Sequence, residues 1–372
     1  MFDVTAEPKH FRSHEPFLKD LTMMDICIAG RSIGNRHRPY LIAEMSGNHN
    51  QSLDRALAIV NAAAASGADA IKLQTYTADT MTLNIRSPGF VIEDKNSLWA
   101  GRQLYELYDE AHTPWAWHRP IMERAAALGI HCFSSPFDDS AVDFLMSIGA
   151  PAFKIASFEC TDLPLIRKVA STGKPTIIST GMATVAEIDE AVRAARGAGC
   201  KELVLLKCTS TYPSTPKNTN VRTIPHLKTL FGCEVGLSDH TMGCGAAIAA
   251  VALGANVIEK HFTLRRADGG VDSAFSLEPE EFRMLRTETE RAWQSLGTVH
   301  YGTQVAEERS RIFRRSLYIG ANVKAGELLT PHNIRIIRPG FGLPPKYYDT
   351  ILGRRVSRDC APGTPVSWEL FG

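Results

Sequence analysis

Short apolar runs alternate along the chain with longer stretches in which apolar residues recur every three or four positions. The first run is Tyr40-Leu-Ile-Ala43, and Leu53, Ala56, Leu57, Val60 and Ala64 then mark one face of a helix. The pair of patterns returns with runs at Ala70, Cys132, Phe153, Pro175, Leu203, Glu234 and Asn256. Helices are expected after them near 115–128, 139–148, 162–171, 185–196, 218–230, 243–253 and 279–296. Thr184 and Glu187 have the spacing of a capping box at one helix start. Strands apolar throughout predict burial on both faces of a parallel sheet. Eight strand–helix units over about 255 residues predict a closed (β/α)8 TIM barrel. An open doubly wound sheet would often show a Gly-rich first turn, which is missing.

Two segments break the rhythm. Residues 77–114 insert after the second strand, and a long loop at that end of a barrel is more often functional than decorative. Trp115 and Trp117 stand where such a loop would hinge. After about Gly302 the alternation stops, and 313–372 read as a small, mostly β domain with many Arg and Lys. The expected division is a leader over 1–24, a barrel over 25–300, a linker over 301–312 and the small domain over 313–372. The leader has no apolar core of the kind a secretory signal needs.

Composition narrows the function classes. The 372 residues carry 41 Lys and Arg against 40 Asp and Glu, a formal charge of +1. That excludes a chain-wide basic field, so nucleic acid is not an expected partner. The longest apolar stretch, Ala246 to Ile258, is too short to span a membrane, so none is expected as a partner either. Eight cysteines with no CxxC pair read as reduced, buried thiols, and with them a cytoplasmic location.

The polar residues concentrate at the C-terminal ends of the predicted strands, where barrel chemistry gathers. Glu44, Lys72, Gln74, Ser135, Lys154, Ser157, Glu159, Ser179, Ser210, Tyr212, Ser238, His240, Glu259 and His261 all fall there. One lysine in an apolar run is more often a snorkelling surface residue. Polar groups at every strand end are harder to assign to packing, because buried ionisable groups are costly unless paired or liganded. Lys72 and Lys154, with Ser135, Ser157, Ser210 and Ser238, suit a compact phosphate-bearing anion. No Walker-A or GxGxxG loop is present to cradle a nucleotide. His240 and His261 are one strand–helix unit apart and suit Mn²⁺, Fe²⁺, Co²⁺ or Zn²⁺, with Glu44 and Asp272 as nearby carboxylates. An isolated pair of this kind is more often hydrogen-bonded to backbone.

Together the motifs resemble the sialic acid synthase family. They are Ile42-Ala-Glu44 with Asn48-His49, Lys72-Leu-Gln74, Ser135-Pro-Phe137, Lys154-Ile-Ala-Ser157, Tyr212-Pro213, Gly236-Leu-Ser-Asp-His-Thr241 and Glu259-Lys-His-Phe-Thr263. The tail resembles the family's antifreeze-like (SAF, β-clip) domain through Arg315-Ser316, Lys324-Ala-Gly-Glu327 and Arg338-Pro-Gly340. Ser46-Gly-Asn-His-Asn-Gln-Ser52, Leu73-Gln-Thr-Tyr-Thr77 and Gly269-Gly-Val-Asp-Ser-Ala-Phe-Ser-Leu-Glu-Pro279 resemble its pseudaminic acid branch.

The resemblance implies a metal-dependent condensation of phosphoenolpyruvate with 2,4-diacetamido-2,4,6-trideoxy-L-altrose, giving a nine-carbon nonulosonic acid and phosphate. It implies a divalent metal on His240 and His261, usually Mn²⁺, with Mg²⁺ or Co²⁺ as alternatives. Lys72, Ser135, Lys154, Ser157, Ser210, Tyr212 and Ser238 match phosphoenolpyruvate contacts. Ser135 stands where a Thr is common, and Ser210 where the neuraminate branch has Asn. Glu44, Gln74, Glu159 and Asp272 match positions around the N-acetylated amino sugar and the reacting carbons. Arg338 matches an arginine that reaches a partner subunit's barrel, which implies a domain-swapped homodimer. The competing readings are an N-acetylneuraminate or legionaminate synthase, an aldolase with a Schiff base on Lys154, and a degenerate-barrel sugar-binding protein.

Overall fold

A computed structural model describes residues 25–95 and 97–372; the expected leader, 1–24, lies outside the described residues. The chain forms two compact units that divide after Gly297.

The first unit opens with a hairpin of β1 (Ile26–Ile28) and β2 (Arg31–Ile33), turned by Ala29 and Gly30 at φ of 47° and 84°. Three-residue strands carry no readable period, and the sequence pattern missed both. Eight parallel strands follow: β3 (Tyr40–Glu44), β4 (Ala70–Thr75), β5 (His131–Pro136), β6 (Phe153–Ile155), β7 (Thr176–Ser179), β8 (Leu203–Cys208), β9 (Glu234–Asp239) and β10 (Val257–His261). They close in chain order, with β10 paired to β3, as the TIM-barrel reading expected.

Helices α1 (Leu53–Ala65), α2 (Ala78–Met81), α3 (Leu104–Ala111), α4 (Trp115–Ala127), α5 (Asp139–Ser147), α6 (Leu163–Ala170), α7 (Val185–Gly197), α8 (Thr223–Phe231), α9 (Gly245–Ala252) and α10 (Pro279–Leu296) complete the unit. The capping box Thr184–Glu187 starts α7. The helix expected from 218 begins instead at Thr223. Residues Pro216–Asn218 form a separate 3₁₀ turn, and Asn220 takes a positive φ of 48°, which no continuous helix accommodates. The insertion expected as loop contains α2 and α3, joined by a bridge between Val91 and Gln103.

Strand alternation sorts the barrel residues into two populations. Leu41, Ala43, Ile71, Leu73, Val235, Leu237 and Ile258 face outward and belong to the large core beneath the helices. Tyr40, Ile42, Phe133, Ile177, Val204, Leu206 and Val257 face inward and cluster with Ile26, Ile28 and Ile33, so the hairpin seals the N-terminal end. Further along each strand the inward positions turn polar, and the site lies there.

The second unit pairs β11 (Ser316–Ile319) with β12 (Ile334–Ile337), antiparallel, and adds bridges such as Val323 to Cys360. A short α11 (Tyr348–Ile351) packs with its core of Leu317, Ile319, Val323, Ile334 and Val366. A 3₁₀ run, Val305–Phe313, occupies most of the stretch expected as linker. Among the described residues no helix is long and apolar enough to cross a membrane.

Candidate active site

Alternation places Glu44 of β3, Lys72 and Gln74 of β4, Ser135 of β5, Lys154 of β6, Cys208 of β8, Ser238 of β9, and Glu259 and His261 of β10 on the inward face. Lys72 and Lys154 are 3% and 1% exposed, so neither snorkels to solvent. Lys72 Nζ lies 2.7 Å from Glu44 Oε2, 3.7 Å from Glu259 Oε1, and donates to Ser135 Oγ at 3.2 Å. Lys154 Nζ lies 4.0 Å from Glu259 Oε2 and donates to the Ile155 carbonyl at 3.1 Å. Ser238 Oγ donates to Glu259 Oε1 at 3.3 Å. The two lysines expected to await an anion therefore already face two carboxylates. The sequence places Glu259 at a strand end, in a Glu-Lys-His run, but gives it no role in the site.

Burial acts on all four charges, and their neighbours decide the outcome. Burial pushes the Glu44 carboxyl up to about 7, with Lys72 opposing and Glu259 adding to the rise. Burial also works against charge on Glu259, but Lys154 and Lys72 outweigh it and hold that carboxyl below its usual range. Lys72 is raised despite burial, by the Glu259 and Glu44 charges. Lys154 is lowered, because burial exceeds the pull of Glu259. The cluster thus has one firm carboxylate, Glu259, and one, Glu44, whose proton is exchangeable near neutrality.

A second group of residues lines a cavity of ≈ 430 Å³ above this floor, including Ser46, Gln74, Ser157, Glu159, Ser210, Tyr212, His261 and Asp272. Gln74 Nε2 donates to Glu44 Oε1 at 3.0 Å and so joins floor to cavity. Ser210 Oγ donates to Ser157 Oγ at 2.8 Å. Gly181, at φ 50°, makes room for that pair, since a Cβ there would stand 2.7 Å from Ser157 Cβ. Burial raises the Glu159 and Asp272 carboxyls. The insertion supplies the roof: Met81, Ile92, Trp99, Leu104 and Leu107 line the cavity, and Trp99 Nε1 donates to the Val271 carbonyl at 3.0 Å. Trp115 stacks on Phe144 at the insertion's far end, with ring centroids 4.7 Å apart.

His240 and His261 stand side by side, ring centroids 5.4 Å apart, with the Tyr212 ring 4.5 Å from that of His240. His240 Nδ1 lies 2.9 Å from the Thr209 carbonyl, which assigns its proton there and leaves Nε2 to the Cys208 thiol. His261 Nδ1 is buried without a hydrogen-bond partner and lies 3.7 Å from Asp272 Oδ2. Burial and the His240 charge push the His261 pKa well below its usual value, so that imidazole stays neutral and keeps one ring nitrogen with an available lone pair. An orphaned buried nitrogen on His261 and the imidazole of His240 beside it supply two donors of the kind a divalent cation takes. Among the described residues no three His, Cys, Asp or Glu side chains converge to hold a metal ion, so Asp272 does not join the two histidines as a third ligand.

Cys208 departs from the inert-thiol expectation. Burial alone would raise it, but its hydrogen bond to His240 brings it down to about 7. Burial works against charge on His240, and the same hydrogen bond carries its net shift upward. Arg338 follows β12 in the second unit and is exposed there.

Residues 59–301 match the model of the NeuB family, and residues 314–371 that of the SAF domain. This chain belongs to the NeuB family. A pseudaminic acid synthase of Campylobacter jejuni serotype O:2 is 45% identical over 320 residues, covering 86% of this chain and 93% of that one. The N,N'-diacetyllegionaminic acid synthase of the same strain is 35% identical over 322 residues, covering 86% and 96%. Among solved NeuB-like structures, the N-acetylneuraminic acid synthetase of Leptospira borgpetersenii superposes with a TM-score of 0.69 at 31% identity, covering 77% of this chain and 95% of that one.

Proposed function

We propose that the chain is a pseudaminic acid synthase, joining phosphoenolpyruvate to 2,4-diacetamido-2,4,6-trideoxy-L-altrose with release of phosphate. The greater identity to the pseudaminic than to the legionaminic enzyme of one strain carries the choice of sugar. The chemistry is supported by a buried lysine pair beside a cavity edged with carboxylates and paired histidines.

Lys72 and Lys154, with Ser135, Ser157, Ser210, Tyr212 and Ser238, hold phosphoenolpyruvate. The two ammonium groups stabilise phosphate as its bridging bond breaks, in a site where burial strengthens each interaction. Gln74, Glu159 and Asp272 orient the sugar so that its aldehyde carbon meets the enol carbon. The new C–C bond leaves positive charge on C2 of the pyruvyl unit; water adds there, and C–O cleavage expels phosphate. Glu44, with its carboxyl near 7, both takes and gives a proton at neutral pH. A divalent metal held by His240 and His261 would supply Lewis-acid polarisation of the aldehyde oxygen. Its identity in this reading is Mn²⁺, with Mg²⁺ or Co²⁺ as substitutes.

The site is completed in a domain-swapped homodimer in which Arg338 of a second copy reaches the barrel. Arg338→Ala and His261→Ala chains are then each nearly inactive, while mixed dimers regain turnover through one intact composite site. The reading as a whole is tested with phosphoenolpyruvate carrying ¹⁸O at the bridging oxygen. The label is expected in phosphate, and the product mass is that of the diacetamido nonulosonate. Label retained in the sugar acid, or turnover only with N-acetylmannosamine, overturns it.

A further inference from the structure

Ser46 lies at the turn that leaves β3, with a φ of 47°. That region is costly for an L side chain and open to glycine. The turn itself has a clear reason. A Cβ on the next residue, Gly47, would meet Ala111 Cα and Val271 Cβ at 3.3 Å each, so the chain passes closely between the insertion and the loop after β10. The serine side chain is a separate matter, since glycine would make the same turn with less strain.

Its hydroxyl is buried and fully used. Ser46 Oγ donates to Asp272 Oδ2 and accepts from Gln74 Nε2 at 3.3 Å. Behind them, Ser276 Oγ donates to the Asp272 carbonyl at 2.7 Å, and Asn48 Nδ2 donates to Ser276 Oγ at 2.9 Å. Ser46, Gln74, His261 and Asp272 border the same cavity. One hydroxyl therefore ties together two side chains from distant parts of the chain, Gln74 and Asp272.

We infer that Ser46 is a positioning residue for the sugar half of the site: its hydroxyl fixes Asp272 and Gln74 in the rotamers that receive the sugar, and backbone strain is retained for that purpose. This rests on the synthase reading above. Three full-length variants separate hydroxyl from backbone. Ser46→Gly removes the hydroxyl and the strain, Ser46→Ala removes the hydroxyl alone, and Ser46→Thr keeps the hydroxyl and adds strain. In Ser46→Gly the melting temperature is expected to hold or rise, while kcat/KM for the sugar falls about 10- to 100-fold. The KM for phosphoenolpyruvate should stay within about twofold, as a loss confined to one substrate requires. Ser46→Ala shares the kinetic loss, and Ser46→Thr keeps most activity at a lower melting temperature. Near-wild-type turnover in Ser46→Gly, or an equal rise in the phosphoenolpyruvate KM, overturns the inference. Loss of activity that tracks melting temperature across the three variants does the same. If the wild-type chain itself makes no nonulosonate from the two substrates, the synthase reading fails and this inference falls with it.

Discussion

The barrel wall buries a lysine on each side, Lys260 of β10 on the outside and Lys154 of β6 on the inside, and the two are treated differently. Lys260 faces outward and is fully satisfied: Asp239 Oδ2 lies 2.8 Å from its Nζ, the Thr241 carbonyl 2.6 Å and the Gly243 carbonyl 2.8 Å. An ammonium has three protons, and each has an acceptor. Asp239 in turn accepts from the Thr241 N–H at 2.9 Å. Lys154 faces inward at equal burial, yet among the described residues it donates only to the Ile155 carbonyl and stands 4.0 Å from Glu259 Oε2. A buried ion with every proton placed is part of the scaffold. One with donor capacity left over is held ready for a ligand, at a cost the scaffold must absorb.

The comparison is broken most directly at Lys260. Lys260→Met strands the buried Asp239 carboxylate and is expected to cost about 3–5 kcal/mol of unfolding free energy, measured by urea titration. Lys154→Met should cost less stability, because Lys72 still faces Glu259, with turnover down about 10²- to 10³-fold. Equal destabilisation by both substitutions would erase the distinction. Glu44→Gln sharpens it through pH. Because folding raises this carboxyl from 4.5 to about 7, its contribution is intact below 4.5 and is lost as pH rises through 7. The wild type should therefore lose on the order of 1–3 kcal/mol between pH 5 and 8 that Glu44→Gln does not lose. The smallest effect belongs to the roof. Trp99→Ala gives up the hydrogen bond to Val271 and should raise the sugar KM about tenfold in steady-state assays, roughly the worth of that contact.

The barrel was legible because each strand is a continuous apolar run and each of its helices keeps its period; β1, β2 and α2, too short for a period, escaped, and so did the two-turn α3 inside the insertion. Lys72 and Lys154 were legible because a charge at the end of an apolar strand is conspicuous. What they pair with was not. Glu259 opposes Lys72 and Lys154 across the barrel interior, and that meeting depends on closure of the sheet rather than on any spacing in the chain. Cys208 was hidden for a related reason, since a small thiol at a strand end reads as packing until His240 is placed beside it. Helix α8 began late because Asn220 breaks the period locally.

In β9 and β10 the letters of chemistry and of scaffold are interleaved. Ser238, Glu259 and His261 point one way, Asp239 and Lys260 the other, and Glu259 sits opposite Ser238 in register while Lys260 sits opposite Asp239. Deleting a single residue upstream in β10 would thus exchange the two functions wholesale, sending Lys260 into the chamber and the reactive groups under the helices. The loops around the barrel can lengthen without exchanging the two faces, but these two strands behave like a reading frame that a one-residue insertion or deletion would shift.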